Sequence, residues 1–384
     1  MEPEKNKQRE KTRLLHQHPT QHTTSQSIKA ISTDIYKERN LKRLVEKFKK
    51  SSELYRFRTK TPIYEDAVRR LAAAKRFKWI EEILEDQKKY PDFSNEGFAV
   101  RLVCLYGKAG MLENAQKVFD EMPDKNCERT VLSFNALLAA CINSKKFDKV
   151  DEVFRGVSQK LSIEPDVVSY NTMIKAFCEM GSLDSAVSML GEMEKKGMKP
   201  DAITYNTILN GLYANSRFLD AEKLWGRMVE KNVVPDVRSY NAKLLGLASE
   251  KRTEEGVELF EELKNKGIKP DVFSFNALIK GFVDEGKLEE AKKWYHEMGK
   301  SNCAPQKWTF QTLVPFVCEK GDLDFAIELG EEIFKRRLLV DAALLQIVVD
   351  GLVNSSRIEE SNKLVKLGKS NSYRRYNLKL PTEE

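Results

Sequence analysis

The stretch PDVVSYNTMIKAF, which begins at Pro165, returns as PDAITYNTILNGL at Pro200, PDVRSYNAKLLGL at Pro235 and PDVFSFNALIKGF at Pro270, each copy 35 residues after the last. A repeat of this length is one supersecondary unit, too small to bury its own apolar face, so copies must stack on one another. The frame extends in both directions. Downstream, PQKWTFQTLVPF at Pro305 and VDAALLQIVVDGL at Val340 are increasingly degenerate copies. Upstream, RTVLSFNALLAA is offset by 36, one residue having been inserted near QKLSIEPD. Two further units start at Asn95 (NEGFAVRLVCLYGKAGMLENAQKVFDEM) and, more weakly, at Ile63 (IYEDAVRRLAAAKRFKWIEEILEDQ).

Within the unit from Val167, apolar residues recur at Tyr170, Ile174 and Phe177, the three- and four-residue spacing of one helix face. Asp166 is placed to cap this helix, with Pro165 just outside it. Gly181 predicts its end. A second helix is expected from about Leu183 through Ala186, Met189, Leu190 and Met193, stopped by Gly197 and Pro200. Each unit is therefore a helical hairpin, and the expected fold is all-α, an α-solenoid of stacked helix-turn-helix repeats. The small residues Ala115, Ala186, Ala221, Gly256, Ala291 and Ala326 occupy one frame position, as close helix approach requires.

Charge is distributed unevenly along the 384 residues. The first 95 carry 23 Lys and Arg against 14 Asp and Glu, so they hold more than the whole net charge of +7, and the rest sums to about −2. The densest basic stretch, LKRLVEKFKKSSELYRFRTK over 41–60, offers Lys42, Arg43, Lys47, Lys49 and Lys50 as phosphate-contacting candidates. The expected organisation is a disordered polar stretch over 1–30, a basic helical segment over 31–60, about eight repeats over 61–368 with degenerate ends, and a tail over 369–384.

The N-terminal stretch has no apolar core of a secretory signal, and Glu2, Glu4 and Glu10 are wrong for an organellar presequence. No run of eighteen apolar residues occurs, so no membrane-spanning helix is expected. The six cysteines lack CxxC spacing and read as core thiols, while His16, His18 and His22 have no companion ligands. No metal or other cofactor is called for. Neither a hydrolase elbow, a phosphate loop nor a deaminase-type HxE with PCxxC is present, so the reading is a binding protein and not an enzyme.

The repeat length and the wording PDxxSYN, then G, A, EM and GxKPD, resemble the pentatricopeptide repeat, and the uniform length resembles its P subclass. That resemblance implies RNA bases contacted by the fifth residue of each unit together with its last. Here these are Asn135 with Asp166, Asn171 with Asp201, Asn206 with Asp236, Asn241 with Asp271, and Asn276 with Gln306. The family pattern reads Asn with Asp as preferring uracil. It also implies that second residues, among them Val168 and Ile203, pack against bases, and that a Lys at the thirteenth residue meets phosphate. This chain departs from the last point, carrying Glu179, Asp284 and Glu319 there. From the residues alone, the same Asn series equally describes a polar ladder that sets the stacking register.

Three readings follow. The degenerate ends resemble a subgroup of short plant pentatricopeptide proteins associated with the small subunit of the mitochondrial ribosome, which implies RNA and ribosomal proteins as partners. The alternative is a sequence-specific factor for single-stranded transcripts of the mitochondrion or chloroplast. The third is a scaffold that binds only protein.

Overall fold

The computed structural model describes residues 27–380, which form two compact units divided between Lys146 and Phe147. His16, His18, His22 and most of the expected polar stretch lie outside the described residues. The boundary expected at residue 30 is displaced, because the first helix already starts at Ile28, capped by the Ser27 hydroxyl.

The first unit contains α1 (Ile28–Lys37), α2 (Leu41–Ser52), the single turn α3 (Tyr55–Arg58), α4 (Thr61–Ala73), α5 (Phe77–Glu85), α6 (Glu96–Lys108), α7 (Leu112–Glu121) and α8 (Val131–Asn143). Helices α4/α5 and α6/α7 are the two complete hairpins here. The basic segment is thus broken into three helices, and it is packed: Ile35, Leu44, Val45, Phe48 and Phe57 are buried. Phe48 meets the rings of Phe57 and Tyr64 at 5.2 and 4.7 Å, which fastens the segment onto the first hairpin.

The second unit contains α9 (Asp148–Leu161), α10 (Val167–Glu179), α11 (Leu183–Lys195), α12 (Ala202–Ala214), α13 (Phe218–Glu230), α14 (Val237–Ser249), α15 (Thr253–Asn265), α16 (Val272–Asp284), α17 (Leu288–Lys300), α18 (Lys307–Glu319), α19 (Leu323–Lys335), α20 (Ala342–Asn354) and α21 (Ile358–Ser370). From α10 onward these are six consecutive hairpins. The inserted residue noted in the sequence lies in α9, which has 14 residues where α10 to α21 have 13 each.

One frame position supplies an aromatic core residue in six successive repeats: Phe134, Tyr170, Tyr205, Tyr240, Phe275 and Phe310 are all buried. The ring of Tyr240 meets Trp225 edge-on at 5.3 Å, and Phe275 meets Phe260 at 5.0 Å. The alanines of the small-residue position have no exposed surface, and Gly256 is buried at the same place. Gly181 and Gly197, which end the two helices of one hairpin, have φ of +74° and +77°, a left-handed turn that glycine adopts without steric cost.

The chain's last described residues are more than a tail. Tyr376 and Leu378 are buried, the Tyr376 hydroxyl donates to the Leu338 carbonyl at 3.1 Å, and Gln346 exchanges two bonds with the Lys379 backbone at 2.7 and 3.0 Å. They cover the apolar face that the last hairpin leaves without a successor.

Candidate nucleic-acid interface

Asn171, Asn206 and Asn241 meet Asp201, Asp236 and Asp271 at the joints between hairpins of the second unit. At the joint of α12 and α14, Asn206 donates its Nδ2–H to Asp236 Oδ1 at 3.0 Å and accepts from the Ser239 hydroxyl at 2.6 Å. Asn241 repeats the pattern with Asp271 at 3.0 Å and Ser274 at 2.6 Å. Asn171 does so with Thr204 at 2.7 Å and a longer 3.5 Å contact to Asp201. Asn276 accepts from Thr309 at 2.9 Å, at the joint where Gln306 replaces Asp. Asn135 lies half-buried on α8 of the first unit, and Asp166 caps α10 of the second, its Oδ1 accepting from the Ser169 N–H at 2.9 Å.

Each Asp serves two structures with one oxygen. Asp236 Oδ1 also accepts from the N–H groups of Arg238 and Ser239, at 2.9 and 3.0 Å, while the Asp236 N–H donates to the Ser239 hydroxyl at 3.0 Å. This reciprocal capping box closes the start of α14. Burial alone raises the Asp236 pKa, but the bonds from Ser239, Asn206 and Arg238 outweigh it and hold the carboxyl below the ordinary aspartate value. Among the described residues, the side-chain hydrogen bonds of Asp201, Asp236 and Asp271 all use Oδ1. The Ser or Thr three residues after each cap, including Thr204, Ser239, Ser274 and Thr309, completes the joint. The sequence carries a signal for it, a hydroxyl residue recurring in the same frame.

The joint restricts what the Asn amides can offer a ligand. Asn206 and Asn276 are only 6% and 3% exposed, while Asn171 and Asn241 are half-buried. One N–H and one oxygen lone pair of each Asn206-type amide remain beyond the joint. The second residues behave differently: Leu132, Val168, Ile203, Phe273 and Trp308 are exposed apolar side chains, with Arg238 exposed at the same position. A run of exposed apolar and guanidinium surfaces at one repeat position suits stacking against planar groups. At the thirteenth position, Lys108 is paired with Glu65 at 2.7 Å and Asp284 with Lys280 at 2.7 Å, while Glu179 and Glu319 are exposed.

In the basic segment the candidates divide. Lys47 reaches Asp34 and Glu38, each at 2.9 Å, and Lys49 reaches Glu82 at 2.8 Å. Arg58, a basic residue of the same stretch, is buried against Asp92 at 2.7 Å and the Tyr90 ring at 4.2 Å. These three cations hold the segment together. Lys42, Arg43 and Lys50 are exposed and make no ion pair among the described residues.

The comparisons with known proteins fit this geometry. Residues 165–318 match the PPR repeat family in four overlapping windows, and 100–144 and 132–159 match the pentatricopeptide repeat domain and the PPR repeat. The Arabidopsis thaliana small ribosomal subunit protein mS78 (rPPR3a) is 61% identical over 166 residues, 43% of this chain and 42% of that protein. Small ribosomal subunit protein mS79 (rPPR3b) of the same plant is 58% identical over 165 residues, with 43% and 42% covered. The matched stretch therefore spans under half the length of either relative. Among solved structures, the maize pentatricopeptide repeat protein PPR10 is similar at 18% identity and a TM-score of 0.49, covering 89% of this chain and 57% of that one. With its repeat matched over more than half of its length and an all-helical stack of hairpins, the chain belongs to the pentatricopeptide repeat family.

Proposed function

We propose that this protein is a non-catalytic structural component of the small subunit of a plant mitochondrial ribosome, where it contacts RNA and neighbouring ribosomal proteins and supports translation. The observation that carries this reading is the identity of 61% and 58% to two proteins named as small ribosomal subunit components. The joints agree with it. A protein whose Asn and Asp side chains are largely taken up in holding repeats together is suited to a structural part, with exposed Lys42, Arg43 and Lys50 of the first unit supplying phosphate contacts.

The second reading, a sequence-specific factor for single-stranded organellar transcripts, is favoured by the exposed row of Val168, Ile203, Phe273 and Trp308. Against it stand the exposed acids Glu179 and Glu319 on a track meant for a polyanion.

Sedimentation of the tagged full-length protein from mitochondrial lysate, at magnesium that keeps the subunits apart, separates the two. Stoichiometric migration with the small subunit that survives moderate salt is expected. A light species whose position shifts only after nuclease treatment would overturn the ribosomal assignment.

A further inference from the structure

Two turns of the first unit, from α1 into α2 and from α4 into α5, lie side by side. Arg70, near the end of α4, donates to the carbonyls of Ile35, at 3.2 Å, and of Glu38, which ties the end of α4 to the end of α1. Helices α2 and α5 then run parallel, with Lys49 meeting Glu82 at 2.8 Å and Gln87, just past α5, donating to the Ser52 hydroxyl at 3.2 Å. Their starts at Leu41 and Phe77 are therefore neighbours on one edge of the unit. This edge lies at the far end of α4 from Pro62 and Glu65, the second and fifth residues of its repeat, and the thirteenth residue there is the uncharged Ala73.

Six exposed cations stand on the edge: Arg39, Lys42 and Arg43 around the first turn, and Lys75, Arg76 and Lys78 around the second. None forms an ion pair among the described residues. The acids nearby are mostly engaged, Glu38 by Lys47 at 2.9 Å and Glu82 by Lys49, while Glu81 accepts from Asn114 at 3.2 Å. Glu46, one turn beyond Lys42, is an exposed carboxylate that subtracts from the field.

The cations also stand where the rest of the chain places acids. From α7 to α21 the second helix of each repeat has Asp or Glu in its first turn, among them Glu113, Asp184, Asp220 and Asp324, as the positive end of the helix dipole favours. The first two reverse this. Lys42 and Arg43 open α2, Arg76 and Lys78 flank the start of α5, and neither first turn holds an acid. Cations so placed repel one another and the dipole, and a polyanion laid across both starts relieves that repulsion.

The Trp79 ring is covered by Arg76 at 5.5 Å, so a base finds no pair of open rings here to sit between. What the edge offers is two rows of cations separated by about the 8–10 Å spacing of packed helices. A-form RNA presents phosphates from two strands on a rigid frame, and its wide, shallow groove is recognised through phosphates and sugars. We infer that this edge docks on the phosphate backbone of double-helical RNA, with Arg39, Lys42 and Arg43 against one strand and Lys75, Arg76 and Lys78 against the other. Phe77, 44% exposed at the start of α5, faces the riboses of the shallow groove. The inference rests on the reading that the chain contacts RNA, and it adds a duplex surface that the repeat pattern does not include.

The test is fluorescence anisotropy of the full-length protein with an RNA duplex of about 16 base pairs, and with one of its strands alone, over a range of salt. The variant combines Lys42→Gln, Arg43→Gln, Arg76→Gln and Lys78→Gln; all four side chains are exposed, and helical ellipticity checks that the fold is kept. The wild type is expected to bind the duplex at least as tightly as the strand. The variant is expected to lose at least about tenfold in duplex affinity, with a slope of log K against log salt shallower by about 3–4. Duplex binding unchanged in the variant, or a preference of the wild type for the single strand, would overturn the duplex edge while leaving RNA contact standing. Absence of binding to either RNA would overturn both, and binding of polyglutamate in their place would assign the edge to an acidic protein.

Discussion

Asn206→Ala removes the amide from one of the two tightest joints, and its cost follows from what remains. The mutation deletes a bond to a carboxylate, Asn206 to Asp236 at 3.0 Å, which as a charge-assisted bond contributes about 1.5–3 kcal/mol. It also deletes the 2.6 Å bond from Ser239, worth about 0.5–1.5 kcal/mol between neutral groups. Ser239 has a fallback, since Asp236 Oδ1 lies 3.2 Å from its hydroxyl and can take the freed proton. Part of the second term is thereby recovered, and the expected loss is about 2–3 kcal/mol. Urea titration followed by helical ellipticity would measure it, and amide exchange on α12 and α14 would localise it, since a repeat array need not unfold in one step. Ser239→Ala in the same background should show a coupling of about 0.5–3 kcal/mol. The exposed Asn210→Ala should stay within about 0.5 kcal/mol of wild type. A loss below about 0.5 kcal/mol for Asn206→Ala, or strict additivity with Ser239→Ala, would refute the ladder as a structural element.

Two further outcomes follow from the same geometry. Asp236 titrates below the ordinary aspartate value when folded, so its contribution is complete above that value and is lost as pH falls through the lowered one; wild-type urea midpoints should drop more steeply below about pH 4 than those of Asp236→Asn, and parallel curves would contradict this. Glycines should divide by surroundings: a Cβ on Gly246 would lie 2.2 Å from the Tyr213 ring, so Gly246→Ala is expected to cost about 1–3 kcal/mol, whereas Gly226 has nothing within 4 Å and Gly226→Ala should stabilise α13 by about 0.5–1 kcal/mol in thermal unfolding.

Much of this architecture was legible because it repeats. Asp166, Asp201, Asp236 and Asp271 recur at a fixed distance before an apolar period, and a cap is a local arrangement that sequence can reveal. The expected polar ladder was visible for the same reason, although its third member was not: Ser239 meets Asn206 from 33 residues away, and only stacking brings them together. What does not recur stayed hidden. Lys47 and Lys49 looked like members of one phosphate-binding stretch, yet their acids stand 13 and 33 residues away on packed neighbours. Arg58 is buried by Asp92 through contacts with no periodic signature, and Tyr376 and Leu378 carry no pattern that announces their burial under the last hairpin.

The shared oxygen of each joint also gives the chain a direction. The Asn belongs to the earlier repeat and the Asp, with its cap, to the later one, so each helix start is finished by a side chain that was synthesised about thirty residues before it. As the polypeptide emerges from its N-terminus, the Asp that caps the newest hairpin finds its amide donor already mounted on the neighbour made before it. Truncation from the C-terminal side would remove hairpins without unmaking the caps of those that stay, while loss from the N-terminal side would strip a joint from the first repeat left behind.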